Sequence, residues 1–165
     1  EFSQDDVLKL LQRVNQSKSS GPDNIHPRVL RECCAELAEP LYILFSRSLS
    51  EGVMPEAWKE AHVVPIHKKG SRAEVTNYRP VSLTSVCCKL MEKLIREAVT
   101  DHMIRNGFLS EYQHGFVKGR SCTTQLLKVL DKISEILDEG GSVDSIYLDF
   151  AKAFDSVPHK RLLKN

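Results

Sequence analysis

The sequence holds 165 residues, room for one ordinary domain, with hydrophobic residues at 41% and charged residues at 27%, the balance of a globular chain able to bury a core. Those figures exclude a disordered tail, a collagen-like repeat and a disulfide miniprotein, and no apolar run approaches the ~20 residues that span a bilayer. No basic-then-apolar leader is seen, so neither a targeting nor a membrane segment is expected. The net charge is +1, which alone predicts no polyanion partner, yet the charge is unevenly spread. Residues 1–57 carry six basic and nine acidic side chains, whereas residues 58–93 carry seven basic and three acidic ones. From Tyr112 to Leu130 there are three cations, Lys118, Arg120 and Lys128, and no acid. Such local basic faces suit phosphate, although a solvated surface with clustered lysines reads the same way.

Ser3 with Asp6 has the form of a capping box, and Val7, Leu10, Leu11 and Val14 follow on one helical face. Ser17 to Asp23 is a loop by its turn chemistry. Pro27 suits the first turn of a second helix with Leu30, Cys34 and Leu37 inward. Pro40 is expected to open a third, with Leu41, Leu44, Phe45 and Leu49 inward and Gly52 just past its end. The texture then changes. His62–His67 is a short β-branched run ended by Lys68-Lys69-Gly70, and Tyr78–Leu83 is a second. Two strands around a basic loop, a hairpin with prolines at exposed edges, is the economical reading. Helical period returns over 85–105 (Val86, Leu90, Leu94, Ala98, His102) with Gly107 as its stop. A loop from Ser110 to Gly119 leads to an amphipathic helix near 121–138, broken by Gly140-Gly141. Ser145–Phe150 reads as a strand.

Five cysteines occur as Cys33-Cys34, Cys87-Cys88 and Cys122. Adjacent residues on a helix diverge by about 100°, so neither pair makes a metal clamp, and all five read as buried or half-buried thiols. Asp149 is the one charge between Ile146 and Ala151. A carboxylate beside so apolar a run needs a cation or metal, or else caps a following helix. Lys68, Lys69 and Arg79 flank the hairpin from both sides. They make either a clamp for a triphosphate or nucleic-acid backbone, or a charged edge that resists aggregation. Gln113 to Ser121 combines two glycines, an aromatic and two cations without the order of a Walker loop. Its glycines admit a ligand close to the backbone, or serve only a turn.

Taken in order, these segments resemble the reverse transcriptase of non-LTR (LINE-type) retrotransposons. KSSGPDNIHPRVL is similar to that family's amino-terminal extension motif, and VVPIHKKG with NYRPVSLTS to its first two fingers motifs. LSEYQHGFVKGRSC is similar to its Q-x-G-F-x-x-G-R-S element, and YLDFAKAFDSVPH to its motif A. Group II intron and telomerase polymerases share the core, but the wording YRPVSLTS and AFDSVPH favours the LINE type.

The resemblance implies an incomplete α+β right-hand polymerase fold. Residues 1–57 would be a helical extension, 58–142 the fingers with connecting helices, and 143–165 the start of the palm. It implies RNA-directed DNA polymerisation with Mg²⁺, or Mn²⁺, in the complete enzyme and weak or no metal binding here. The implied partners are an RNA template, a DNA primer and a deoxynucleoside triphosphate, with no membrane, in the nucleus and cytoplasm. Residue by residue, Asp149 matches the catalytic, metal-binding aspartate, with the Phe150 carbonyl as a further metal contact. Lys68, Lys69 and Arg79 match the triphosphate grip, and Phe154 the side chain that excludes a ribose 2′-hydroxyl. Gln113, Phe116 and Arg120 match the family's template- or fingers-packing element, which with Lys118 is expected to bind nucleic acid. Asp155 falls outside the catalytic role. The family's later Asp-Asp pair has no counterpart after Asp149, since the one such pair is Asp5-Asp6. The chain alone is therefore expected not to polymerise, and a non-catalytic nucleic-acid-binding module is the alternative. The strand before Asp149 would lack its sheet partners, so poor solubility or local disorder is expected past residue 143.

Overall fold

Ser3 closes the first helix as its sequence demands. Its hydroxyl accepts from the Asp6 amide while the Asp6 carboxylate accepts from the Ser3 amide at 2.8 Å, so two otherwise unpartnered donors are satisfied at once. In the computed structural model, which describes residues 2–150 and 156–162, this helix is α1, Gln4–Gln12. It is followed by α2 (Pro27–Glu32), α3 (Cys34–Glu51), β1 (His62–His67), β2 (Tyr78–Leu83), α4 (Val86–Arg105), α5 (Cys122–Asp138) and the single turn α6 (His159–Leu162). The architecture is mixed α and β, with one antiparallel hairpin among the described residues. None of the described helices is long and apolar enough to cross a membrane. The chain divides into two units, Glu1–Phe108 and Leu109–Asn165.

The first unit has a true core. α1 sets Val7, Leu10 and Leu11 against Leu41 and Phe45 of α3, with Leu30 from α2 and Cys88, Leu90, Met91 and Leu94 from α4. Phe45 is fully buried and meets the Trp58 ring edge-on, with centroids 5.7 Å apart. Trp58 reaches it from a short 3-10 turn, Glu56–Trp58, that ends the linker after α3. Burying side chains of this size supplies most of the folding drive, at about 1.5–3 kcal/mol each.

One close approach fixes where the 17–24 loop lies. A Cβ on Gly21 would stand 2.6 Å from the Thr84 carbonyl oxygen and 2.7 Å from the Ser85 Cα, so only glycine lets this loop dock on the start of α4. Ser85 is itself fully buried and caps α4, its hydroxyl accepting from the Cys88 amide. Burial, reinforced by the charge of Asp23, pushes the neighbouring Cys87 thiol up to about 11. The Cys88 thiol rises to about 11 through burial and the nearby Glu92. Both are inert packing groups.

Several expectations are corrected. The helix does not restart at Pro40. It breaks at Cys33, and Pro40 lies inside α3. Pro40 and Glu36 are both exposed, so water can take the carbonyl that the missing Pro40 N–H leaves free. Leu44 and Leu49 face outward. The packed stripe is Leu41, Phe45 and Ser48, while Leu49 lines an open groove of ≈ 1020 Å³ shared by α1, α3 and α4. Only the first half of α4 is buried, so Ala98 and His102 are exposed. Cys33 and Cys122 are exposed rather than buried. Residues 145–150 form no strand. A strand requires a neighbour for its amides and carbonyls, and among the described residues β1 and β2 pair only with each other. Ile146, Tyr147, Leu148 and Phe150 are all exposed, Tyr147 at 93%.

Candidate nucleotide and nucleic-acid interface

The hairpin is the best-defined feature that carries candidate residues. Its register pairs His62 with Leu83, Pro65 with Pro80, Ile66 with Arg79 and His67 with Tyr78. One further bond, from the Lys68 amide to the Asn77 carbonyl at 2.8 Å, extends the pairing beyond β1. Counting in twos from that bond, 66/79, 64/81 and 62/83 are the hydrogen-bonded pairs, and Pro65 and Pro80 meet where each N–H would point outward. That phase explains how two prolines sit opposite one another without breaking the ladder.

The same count sorts the side chains. Ile66, Lys68 and Arg79 fall on one face of the hairpin, and His67 and Tyr78 on the other. Lys68 and Arg79 are diagonal neighbours, a spacing of about 7–8 Å within reach of long side chains. Lys68, Lys69 and Arg79 are all exposed. Two cations on one face, with no carboxylate among the described residues bonded to either, present a surface that an oligophosphate can bridge. Such an exposed site is screened by salt.

The second unit organises the other candidates around one arginine. Arg120 Nη1 donates to the carbonyls of Ser110 at 3.3 Å, Glu111 at 2.7 Å and Gln113 at 2.5 Å, which draws the 110–120 loop into a ring. The loop is tied to α5 as well, because His114 Nδ1 lies 3.1 Å from the Thr124 hydroxyl and Lys128 Nζ sits 4.8 Å over the Tyr112 ring. Thr124 in turn completes a capping box with Ser121. Phe116 projects from the ring at 97% exposure with φ of 61°, a left-handed conformation rare outside glycine and enriched at functional sites. Gln113 and Lys118 are exposed beside it. An exposed ring beside a cation has the chemistry of base stacking with a phosphate contact.

Asp149 and Phe150 lie exposed on the segment without regular structure. Phe154 and Asp155 lie outside the described residues. Among the described residues no group of three or more His, Cys, Asp or Glu could hold a metal ion. These residues therefore do not fit a catalytic metal centre, which needs several oxygen donors converging on one point. Sequence reasoning missed His67, Asn77 and Tyr78, whose side chains all bond into the hairpin loop. The cue was present in Asn77 next to a turn, because amide side chains there habitually bond nearby backbone.

The chain belongs to the family described as reverse transcriptase (RNA-dependent DNA polymerase), whose pattern matches residues 66–165. Its relatives are proteins of non-LTR retrotransposons. It is 29% identical over 160 residues to a probable RNA-directed DNA polymerase from transposon BS of Drosophila melanogaster, covering 96% of this chain and 18% of that protein. The RNA-directed DNA polymerase from mobile element jockey of the same organism is likewise 29% identical over 160 residues, with the same 96% and 18% shares. A Pol polyprotein from the type-1 retrotransposable element R1 of Bradysia coprophila is 27% identical over 159 residues, covering 95% of this chain and 16% of that protein. The chain thus spans less than one-fifth of the length of these relatives.

Proposed function

We propose that this chain is the fingers and first palm segment of a non-LTR reverse transcriptase, and that its own contribution is to grip the incoming deoxynucleoside triphosphate and the template. In this reading β1 and β2 are the fingers hairpin, residues 1–57 the amino-terminal extension, and residues 143–165 the beginning of the palm. Lys68 and Arg79, with Lys69 beside them, hold the triphosphate. The single observation that carries the reading is the hairpin phase, which sets Lys68 and Arg79 on one exposed face. Phe116, Lys118 and Gln113 meet nucleic acid, held in place by the Arg120 ring of carbonyl bonds. Phosphate contacts of this kind give affinity without much sequence readout.

Asp149 is one carboxylate of a centre that needs further donors, with the Phe150 carbonyl beside it and Phe154 placed to exclude a 2′-hydroxyl. The complete enzyme uses a divalent cation. The chain by itself holds no Asp-Asp pair after Asp149 and does not extend a primer. Primer extension by the purified 165-residue chain with Mg²⁺ or Mn²⁺ tests that part, and incorporation of nucleotide would refute it. The grip is tested by fluorescence anisotropy of a labelled deoxyadenosine triphosphate at low salt. Arg79→Glu and Lys68→Glu should each weaken binding at least about tenfold, the ~1.5–3 kcal/mol of a hydrogen bond to a charged group. Unchanged affinity in both variants would remove the grip from the hairpin.

A further inference from the structure

The loop that joins β1 to β2 reads as floppy. Lys68-Lys69-Gly70-Ser71-Arg72 combines like charges with a glycine, and nothing in that composition fixes a shape. The structure nevertheless fastens it at three consecutive carbonyls. His67 Nε2 lies 3.1 Å from the Gly70 carbonyl oxygen. Asn77 Nδ2 donates to the Ser71 carbonyl at 2.9 Å. The Tyr78 hydroxyl donates to the Arg72 carbonyl at 2.9 Å. A carbonyl can only accept, so the His67 Nε2 carries the proton. Gly70 takes a φ of 83°, and a Cβ there would stand 2.7 Å from Asn77 Nδ2. His67 and Tyr78, paired across the ladder, also brace one another, their rings edge-on at 5.3 Å. The three donors come from the two ends of the strands, and their three acceptors carry the loop between them.

We infer that His67, Asn77 and Tyr78 are positioning residues for the triphosphate grip, clamping the loop so that Lys68, Lys69 and Arg72 are presented in one fixed arrangement. The inference rests on the reading that the hairpin holds a triphosphate. His67 and Tyr78 lie on the face away from Lys68 and Arg79, so a phosphate seated on the cationic face is beyond their reach. They act through the loop backbone. Ordering the cations before the ligand arrives removes that entropy cost from binding. Each clamp bond is exposed to water and individually modest, so each is worth about threefold to fivefold in affinity.

Tyr78→Phe is the sharpest variant, because it keeps the ring against His67 and removes only the hydroxyl that reaches Arg72. Asn77→Leu keeps size, removes the donor without adding charge beside Lys68, and carries the test if Tyr78→Phe loosens the hairpin. Each variant of the 165-residue chain is titrated with deoxythymidine triphosphate beside Arg79→Ala, and ¹⁵N{¹H} heteronuclear NOE is read over residues 69–76. The clamp predicts that both variants bind about threefold to fivefold more weakly and lose NOE in the loop, with the amide signals of α1 and α3 unmoved. If Arg79→Ala weakens binding while Tyr78→Phe and Asn77→Leu do not, the clamp is wrong and the grip stands. If Arg79→Ala changes nothing, the grip falls and the positioning role falls with it.

Discussion

Helices α1 and α5 are built to one plan and meet opposite fates. Each opens with a serine capping box, Ser3 with Asp6 and Ser121 with Thr124. Each carries an apolar stripe at helical spacing. Yet α1 buries Val7, Leu10 and Leu11 in the core of the first unit, whereas α5 buries no residue at all, and Leu130 at its centre is 58% exposed. The difference lies in what surrounds the two stripes. α3 and α4 offer α1 complementary apolar faces, while the second unit's other described segments are the polar 110–120 loop, a stretch without regular structure and the single turn α6. An amphipathic pattern specifies a helix and its sticky side. It does not specify that the side is covered.

That contrast can be broken most forcefully at Phe45. Phe45→Ala should cost about 3–5 kcal/mol in denaturant unfolding, since it empties the site shared with Trp58 and α1. Leu130→Ala in α5 should change stability by no more than about 0.5 kcal/mol. Comparable losses would mean that the α5 stripe is as covered as the α1 stripe. Gly21→Ala comes next, at about 1–3 kcal/mol, because the added methyl meets backbone at Thr84 and Ser85 rather than a side chain able to swing aside. A melting temperature equal to that of the parent would show the 17–24 loop is not docked there. Ser3→Ala should cost about 1 kcal/mol, and circular dichroism with hydrogen exchange at α1 reads it directly.

The smallest effect concerns pH. The Ser3 hydroxyl and amide hold the Asp6 carboxyl below the ordinary 3.8. A depressed folded value means that the cap's contribution is fully present above about 3.8 and fades as the pH falls through the lower folded value. In a carboxyl ¹³C titration Asp6 should titrate below the ordinary 3.8, and Ser3→Ala should bring it back. A midpoint at or above the ordinary value would contradict the capping box as the cause.

Sequence patterns located the hairpin to the residue, because a β-branched run, edge prolines and a charged turn all point the same way. They located α1, α4 and α5 well for the same reason, with caps and stop glycines agreeing with the apolar period. They erred at Pro40, where a general rule about proline met a solvent-facing position that tolerates it. They erred at Ser145–Phe150, where a strand's local preference is not enough without a paired neighbour. Lys68 and Arg79 stand out in the sequence by charge, but that they share a face follows only from the phase of the ladder. The clamp on the Gly70, Ser71 and Arg72 carbonyls was illegible because it links side chains to backbone across the turn, and no periodicity records such bonds. Arg120 stands out as a cation for phosphate, and the structure shows one of its nitrogens bonded to three carbonyls.

The hairpin grip is tested most directly by mapping deoxythymidine triphosphate onto the chain by ¹H–¹⁵N correlation spectra at low salt. The account predicts shifts concentrated at the amides of residues 66–72 and 77–79, growing with ligand and fading as salt is added, with the α5 signals unmoved. Shifts elsewhere that leave the hairpin silent, or none at millimolar ligand, would contradict it.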